Sequence, residues 1–186
     1  VAEVQKTFIE MFDDGLIYRG QKTINWCPKH QTSLSDVETV NVEEKTPFYY
    51  FKYGPFEIGT VRPETKFGDK YVLMHPEDAR YQEYQHGQKI EVEWINGKVT
   101  ATVIKDSAVD PTFGTGVMTI TPWHSAVDFE IARRHQLEME PIIDWRGKLL
   151  PIAGELAGLN IRDARAKMVE KLAAKGLLAK TDENYT

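Results

Sequence analysis

Six short runs rich in β-branched and aromatic residues recur through the middle of the chain, and they constrain its fold more than any other feature. Polar or glycine-containing turns separate them. Asn96-Gly97, between two of the runs, is typical of a tight hairpin, whose backbone needs positive φ at both positions. Many short strands with polar turns indicate a β-barrel or a β-sandwich core. The runs are 48–53, 56–62, 70–74, 89–95, 99–104 and 117–121.

Three segments have helical periodicity. Residues 1–14 carry apolar side chains at helical spacing and stop at Gly15, a position where a residue without Cβ is favoured. Residues 125–136 and 160–175 are similar, with Asn160 as the cap of the last helix and Gly176 as its end. The sequence therefore predicts an α+β fold with helices around a β-rich core.

Composition excludes several classes of protein. Hydrophobic residues make up 41% and charged residues 27% of the 186, which is ordinary for a globular domain and unlike a disordered chain. No apolar run is long enough to cross a membrane, and no signal stretch is present, so we expect a cytoplasmic protein. The net charge of −5 argues against a broad nucleic-acid-binding surface. Cys27 and His30 offer only half of a zinc spacing, so we predict no metal site.

Residues 113–128 form the first candidate site, because glycines, hydroxyl side chains, a histidine and a carboxylate occur close together there. Two glycines, Gly114 and Gly116, would let a ligand approach the backbone, and a strand then turns at Pro122 into a helix. The positive end of that helix suits an anion. A purely structural interpretation is also available, because Ser125 and Asp128 have the S-x-x-D spacing of a capping box.

Residues 62–65, Arg-Pro-Glu-Thr, form the second candidate site. The residue before a proline is held extended, so Arg62 is oriented at the end of a strand. Its guanidinium can bind a phosphate or a carboxylate with two parallel hydrogen bonds, and Thr65 adds a hydroxyl. The alternative is an exposed arginine with no ligand.

Together these segments resemble the editing domain of the valyl-tRNA synthetases, a connective insertion in the Rossmann catalytic core. The resemblance rests on residues 62–65, 113–116, 121–124, 128–130 and 133–135, and it extends to the flanks at 14–20, 25–28, 35–38 and 183–186. Isoleucyl and leucyl enzymes share this insertion, but Glu64 and the Gly-Thr-Gly of 114–116 favour the valyl type.

The resemblance implies a closed β-barrel of about six strands with peripheral helices. It implies one editing domain over 1–186, cut from a longer synthetase, with an entry segment at 1–45, a β-rich core at 46–150 and an exit at 151–186. The implied reaction is hydrolysis of threonine from mischarged tRNA(Val). The partners are then the tRNA acceptor end and the rest of the enzyme. Editing needs no cofactor, and ATP and Mg²⁺ belong to the catalytic domain elsewhere.

The resemblance also implies roles for particular residues. Asp128 would hold the α-ammonium of the substrate, and His124 would orient water. The family often carries Lys where this chain has Thr119 and Asp where it has Ser125, which leaves open how the threonine hydroxyl is recognised. Phe113 would lie beside the terminal adenosine, and Thr121 near the substrate side chain. The complete substrate-binding set is Arg62, Glu64, Thr65, Phe113, Gly114, Thr115, Gly116, Thr119, Thr121 and Ser125.

Two other functions remain open on these residues. One is the editing of a different amino acid, as in an isoleucyl or leucyl synthetase. The other is a module that binds the tRNA acceptor end without hydrolysing the ester. The negative net charge also predicts weak activity for this domain alone, because most of the affinity for tRNA would come from the rest of the enzyme.

Overall fold

A computed structural model describes residues 1–185 and has nine strands and three α-helices in that range. Thr186, the last residue of the predicted exit segment, lies outside the described residues. The helices are α1 (Ala2–Asp13), α2 (Ala126–Arg134) and α3 (Ile161–Ala174). The strands are β1 (Asn25–Cys27), β2 (Thr32–Leu34), β3 (Phe48–Tyr53), β4 (Phe56–Thr60), β5 (Tyr71–Met74), β6 (Lys89–Trp94), β7 (Gly97–Lys105), β8 (Val117–Thr119) and β9 (Leu178–Asp182).

The strands form three separate sheets. β1 and β2 make a small hairpin, β3 lies between β4 and β9, and the largest sheet has the order β6-β7-β5-β8. All pairs are antiparallel except β5 with β7. The predicted hairpin is confirmed, but its turn lies one residue earlier than predicted. Trp94 pairs with Gly97, so the two turn residues are Ile95 and Asn96, and of the predicted pair only Gly97, with a φ of 115°, has positive φ.

The predicted closed barrel is wrong for the chain described, 1–185, whose sheets remain open. Neither edge strand of the β4-β3-β9 sheet pairs with an edge strand of the larger sheet in this range. The two edge strands that approach each other are β4 and β8. β8 has only three residues, and β4 is followed closely by Pro63, which has no amide hydrogen to donate. The closed barrel was implied by the family resemblance, whereas the local patterns predict strands but not which distant edges pair.

Two hydrophobic clusters hold the layers together. The larger one joins the two main sheets and α3, through residues such as Phe51, Trp94 and Met168. The smaller one packs α2 onto the other face of β5 and β8, through Leu73, Ile120 and Ile131 among others. β8 therefore has one cluster on each face, and the site residues that follow it are fixed from both sides.

Candidate functional site

The Arg-Pro-Glu-Thr segment forms a tight turn at the end of β4. Pro63 begins a 3₁₀ helix, and Thr65 donates to the carbonyl of Arg62 through both its amide (3.1 Å) and its hydroxyl (2.9 Å). The amide of Arg62 donates to the Thr60 hydroxyl at 3.0 Å, and Arg62 Nη1 donates to the carbonyl of His124 at 2.8 Å. The last bond joins the turn to the corner after β8.

Glu64 is buried and serves the packing of α3. Arg165 on that helix donates to both Glu64 carboxylate oxygens, each at 3.0 Å, and Arg62 Nε lies 3.5 Å from one of them. The paired Glu64 carboxylate holds the pKa of Arg165 above its ordinary value. Both oxygens of Glu64 are therefore engaged within the protein, and its predicted contact with substrate stays a prediction.

Asp128 lies at the corner between β8 and α2. The residue is buried there, with only 7% of its surface exposed. The Ser125 hydroxyl caps α2 by accepting from the Asp128 amide at 3.3 Å, as the capping-box interpretation predicts. The Asp128 carboxylate does not return the bond to Ser125. Its Oδ2 accepts from the amide of Thr121 at 2.9 Å, so it points from the helix toward the end of β8.

His124 is held neutral in this corner. Its Nε2 accepts from the amide of Ile142 at 3.1 Å, so the ring proton lies on Nδ1. Burial, followed by the nearby charge of Arg62, lowers its pKa to about 4, despite the opposing effect of Glu64. One of its nitrogens is thus engaged with backbone, and water orientation by His124 would use the Nδ1–H.

Lys66 and Asp69 meet Thr119 in the interior, and sequence reasoning missed both. Lys66 Nζ donates to the Thr119 hydroxyl at 3.0 Å, and that hydroxyl donates to Asp69 Oδ2 at 2.7 Å. Burial raises the pKa of Asp69 to about 6; Lys66 and the Thr119 hydroxyl oppose the rise, and the charge of Asp128 adds to it. The signal was a charged pair three residues apart, directly after the Arg-Pro-Glu-Thr segment.

The glycine loop lies at the other end of β8. Gly114 and Gly116 have φ of 57° and 74°, and a Cβ on Gly116 would come within 2.9 Å of the Pro111 carbonyl. The Thr115 hydroxyl donates to the carbonyl of Glu57. The Phe113 side chain is exposed, with its ring edge-on to Phe48 at 6.2 Å. These contacts give the loop a structural role and leave the Phe113 ring free to stack.

The structure therefore divides the predicted site residues into two groups. Those at the corner are linked by hydrogen bonds, except Thr119, whose hydroxyl bonds to Lys66 and Asp69 instead. Within residues 1–185, no hydrogen bond joins the glycine loop to that corner. Four residues separate Gly116 from Thr121, a distance of up to about 16 Å along extended chain. The corner group is Arg62, Glu64, Thr65, Thr119, Thr121, His124, Ser125 and Asp128; the loop group is Phe113, Gly114, Thr115 and Gly116.

Other kinds of site receive no support from the described residues. No group of three or more His, Cys, Asp or Glu in 1–185 is placed to hold a metal ion. Cys27 Sγ lies 3.4 Å from His30 Nδ1, and no further metal-ligand side chain joins them in that range. No helix in the described chain is long and apolar enough to cross a membrane.

Comparison with known proteins identifies the family of the chain. Residues 1–180 match the profile of the tRNA synthetases class I (I, L, M and V). The chain belongs to this family. Valine--tRNA ligases of Pseudothermotoga lettingae and Staphylococcus carnosus are 42% and 39% identical over 96% and 97% of the chain. The predicted resemblance to valyl-tRNA synthetases is confirmed, and the chain spans 21% of the length of these relatives.

A solved synthetase has a similar fold. The agnB2 LeuRS of Agrobacterium radiobacter K84, in a ternary complex with tRNA and LeuAMS, superposes with a TM-score of 0.50 at 16% identity. The match covers 96% of this chain and 31% of that one. At this identity the likeness concerns the fold alone.

Proposed function

We propose that this domain hydrolyses the ester that joins threonine to the 3′ end of mischarged tRNA(Val). The observation that carries the proposal is the buried Asp128 carboxylate, turned from its own helix toward Thr121 and next to the Arg62 turn. A buried carboxylate with one oxygen held by an amide is suited to bind an ammonium group, since an unpaired charge in such a place is costly.

The need for such a reaction follows from the chemistry of the two amino acids. Valine and threonine are nearly isosteric, and valyl-tRNA synthetases are the standard example of a pocket that rejects the hydroxylated isostere by only about a hundredfold. A second site that hydrogen-bonds the hydroxyl can remove the error, because valine would leave its buried polar groups unpaired. The corner of this domain is rich in such groups.

The proposed reaction consumes only water and uses no cofactor; ATP and Mg²⁺ would serve the catalytic domain of the parent enzyme. An aminoacyl ester is already activated, so positioning supplies much of the rate. Asp128 would hold the α-ammonium, and Arg62, whose side chain is 42% exposed, would bind the ester or an adjacent phosphate. A neighbouring ribose hydroxyl would assist the water, in keeping with the engagement of His124 Nε2.

The test is deacylation of tRNA(Val) charged with threonine. Asp128→Asn keeps an oxygen for the Thr121 amide but removes the charge, and we expect hydrolysis to fall at least a hundredfold. Glu130→Ala is the matched control, since Glu130 is exposed two residues further along the same helix. An Asp128→Asn variant with the wild-type rate would contradict the proposal.

The same assay separates the alternatives. Hydrolysis of isoleucine or leucine from its tRNA in preference to threonine would indicate editing for another synthetase. Measurable tRNA binding with no turnover would indicate a module that binds the acceptor end only. The 42% identity to a valine--tRNA ligase favours threonine on tRNA(Val).

A further inference from the structure

The cluster of Lys66, Thr119 and Asp69 has hydrogen-bonding capacity that the protein does not use. Asp69 is 1% exposed, and its Oδ1 is the buried side-chain oxygen without a hydrogen-bond partner among residues 1–185. Lys66 Nζ lies 3.7 Å from that oxygen, beyond hydrogen-bond length, and it donates to the Thr119 hydroxyl instead. An ammonium has three donors, so the cluster keeps both a donor and an acceptor available.

A hydroxyl group matches this pair of atoms. Lys66 Nζ and Asp69 Oδ1 lie 3.7 Å apart, a separation at which one oxygen can be about 2.9 Å from both atoms. A hydroxyl there would accept from the ammonium and donate to the carboxylate, whereas a methyl group can do neither. The cluster therefore distinguishes a hydroxyl from a methyl group of the same size.

The fold does not need this ion pair to hold its backbone. The carbonyl of Lys66 accepts from Trp94 Nε1 at 2.8 Å, and the carbonyl of Asp69 accepts from the Tyr53 hydroxyl at 2.7 Å. Both partners belong to the hydrophobic core. Buried ion pairs seldom add stability compared with apolar groups of the same size, so a role in recognition gives a reason for the charges.

The cluster is also close to the proposed ammonium site. Thr119 and Thr121 are two residues apart on extended chain, so their Cα atoms are about 7 Å apart. The Thr121 amide bonds to Asp128, and the Thr119 hydroxyl bonds to Lys66 and Asp69. The two carboxylates are close enough for the charge of Asp128 to raise the pKa of Asp69. An amino acid held by Asp128 would have its side chain within reach of the cluster.

We propose that Lys66, with Asp69, is a specificity-determining pair that recognises the side-chain hydroxyl of the bound aminoacyl group. The inference rests on the proposed function and deepens it. Thr119 links the two residues, and Lys66 brings its ammonium group to them from the turn after β4.

The experiment measures binding rather than hydrolysis, so it does not depend on catalysis. The probes are adenosines whose ribose carries threonine or valine through an amide bond, titrated calorimetrically into the wild-type chain at neutral pH. We expect the threonyl probe to bind more tightly. Lys66→Met should reduce the ratio of the two affinities about tenfold to a hundredfold, since charge-assisted hydrogen bonds have that effect.

Two further variants keep the result interpretable. Lys66→Met/Asp69→Asn leaves no unpaired buried charge, and we expect it to fold, as checked by thermal unfolding, and to lose the same preference. Lys70→Met is the matched control, since Lys70 is partly exposed and pairs with Glu140. It should keep the wild-type ratio.

Two results would overturn the assignment in distinguishable ways. A folded double variant that keeps the threonyl preference overturns the role of Lys66 and leaves the proposed function standing. A wild-type chain that does not prefer the threonyl probe overturns the role of Lys66 together with threonine as the substrate.

Discussion

At the scale of single residues, burial acts on two ionisable groups in opposite directions. It raises the pKa of Asp69 to about 6 and lowers the pKa of His124 to about 4. Between these values the folded chain holds an extra proton on Asp69 and lacks one on His124, relative to ordinary values of 3.8 and 6.5. Near neutral pH, His124 is neutral and Asp69 mostly charged, which suits the acceptor role of each.

The lowered pKa of His124 predicts how the free energy of unfolding changes with pH. Because its pKa is depressed, the unfolded chain binds more protons between about pH 4 and 6.5, and its contribution to stability is complete above 6.5 and lost toward pH 4. Asn in its place keeps an acceptor for Ile142 but does not titrate. We expect His124→Asn to be less destabilising, or even stabilising, at pH 4.5 compared with pH 7.

Urea unfolding of both proteins at the two pH values measures this difference. Asp69 contributes the opposite slope, but equally in both proteins, so it cancels in the comparison. A difference in unfolding free energy that does not change with pH would show that His124 is not held neutral.

At the scale of elements, one buried ion pair fixes α3 to the turn that carries Arg62. Glu64 has no exposed side-chain area, whereas that of Arg165 is 35% exposed. Removing the arginine leaves a buried carboxylate without its main partner, which typically costs 3–5 kcal/mol. The pair therefore stabilises the position of the turn more than an ion pair between two exposed side chains would.

We expect Arg165→Ala to lower the free energy of unfolding by about 3 kcal/mol, measured by urea denaturation. Glu64→Gln/Arg165→Met should recover part of this loss, since no unpaired charge remains. Arg162→Ala on the same helix, where the side chain is exposed, is the control and should stay within about 0.5 kcal/mol. Equal losses for Arg165→Ala and Arg162→Ala would contradict the assignment.

At the scale of the whole molecule, α1 takes no part in the core. None of its residues is buried, and Val4, Phe8, Ile9 and Phe12 are all more than half exposed. α3, by contrast, buries Ala164, Met168 and Leu172 against the sheets. Stability should therefore depend strongly on α3 and little on α1.

We expect removal of residues 1–14 to change the free energy of unfolding by no more than about 0.5 kcal/mol. Met168→Ala, which empties a fully buried site, should cost about 2–5 kcal/mol. Thermal or urea unfolding of both variants tests the contrast. A truncation as costly as Met168→Ala would show that α1 packs on the core in solution.

Local signals predicted most of the elements because their causes are local. The hairpin at Asn96-Gly97, the cap at Asn160 and the ends at Gly15 and Gly176 all depend on the backbone freedom or hydrogen bonding of neighbouring residues. β9 was missed, because a strand of mixed polarity is stabilised by its pairing with β3, more than a hundred residues earlier. The closed barrel that the resemblance implied was wrong, and local signals could not correct it, because the pairing of distant sheet edges depends on tertiary packing.

The sequence by itself determined the family, the three helices and most of the strands, because these depend on motifs and short-range patterns. Only the tertiary structure decided that the Asp128 carboxylate turns to the Thr121 amide and that Glu64 pairs with Arg165 of α3. It also decided that Lys66 and Asp69 both contact Thr119. Each of these contacts joins side chains from separate elements, and the packing of those elements sets which partner a buried charge finds.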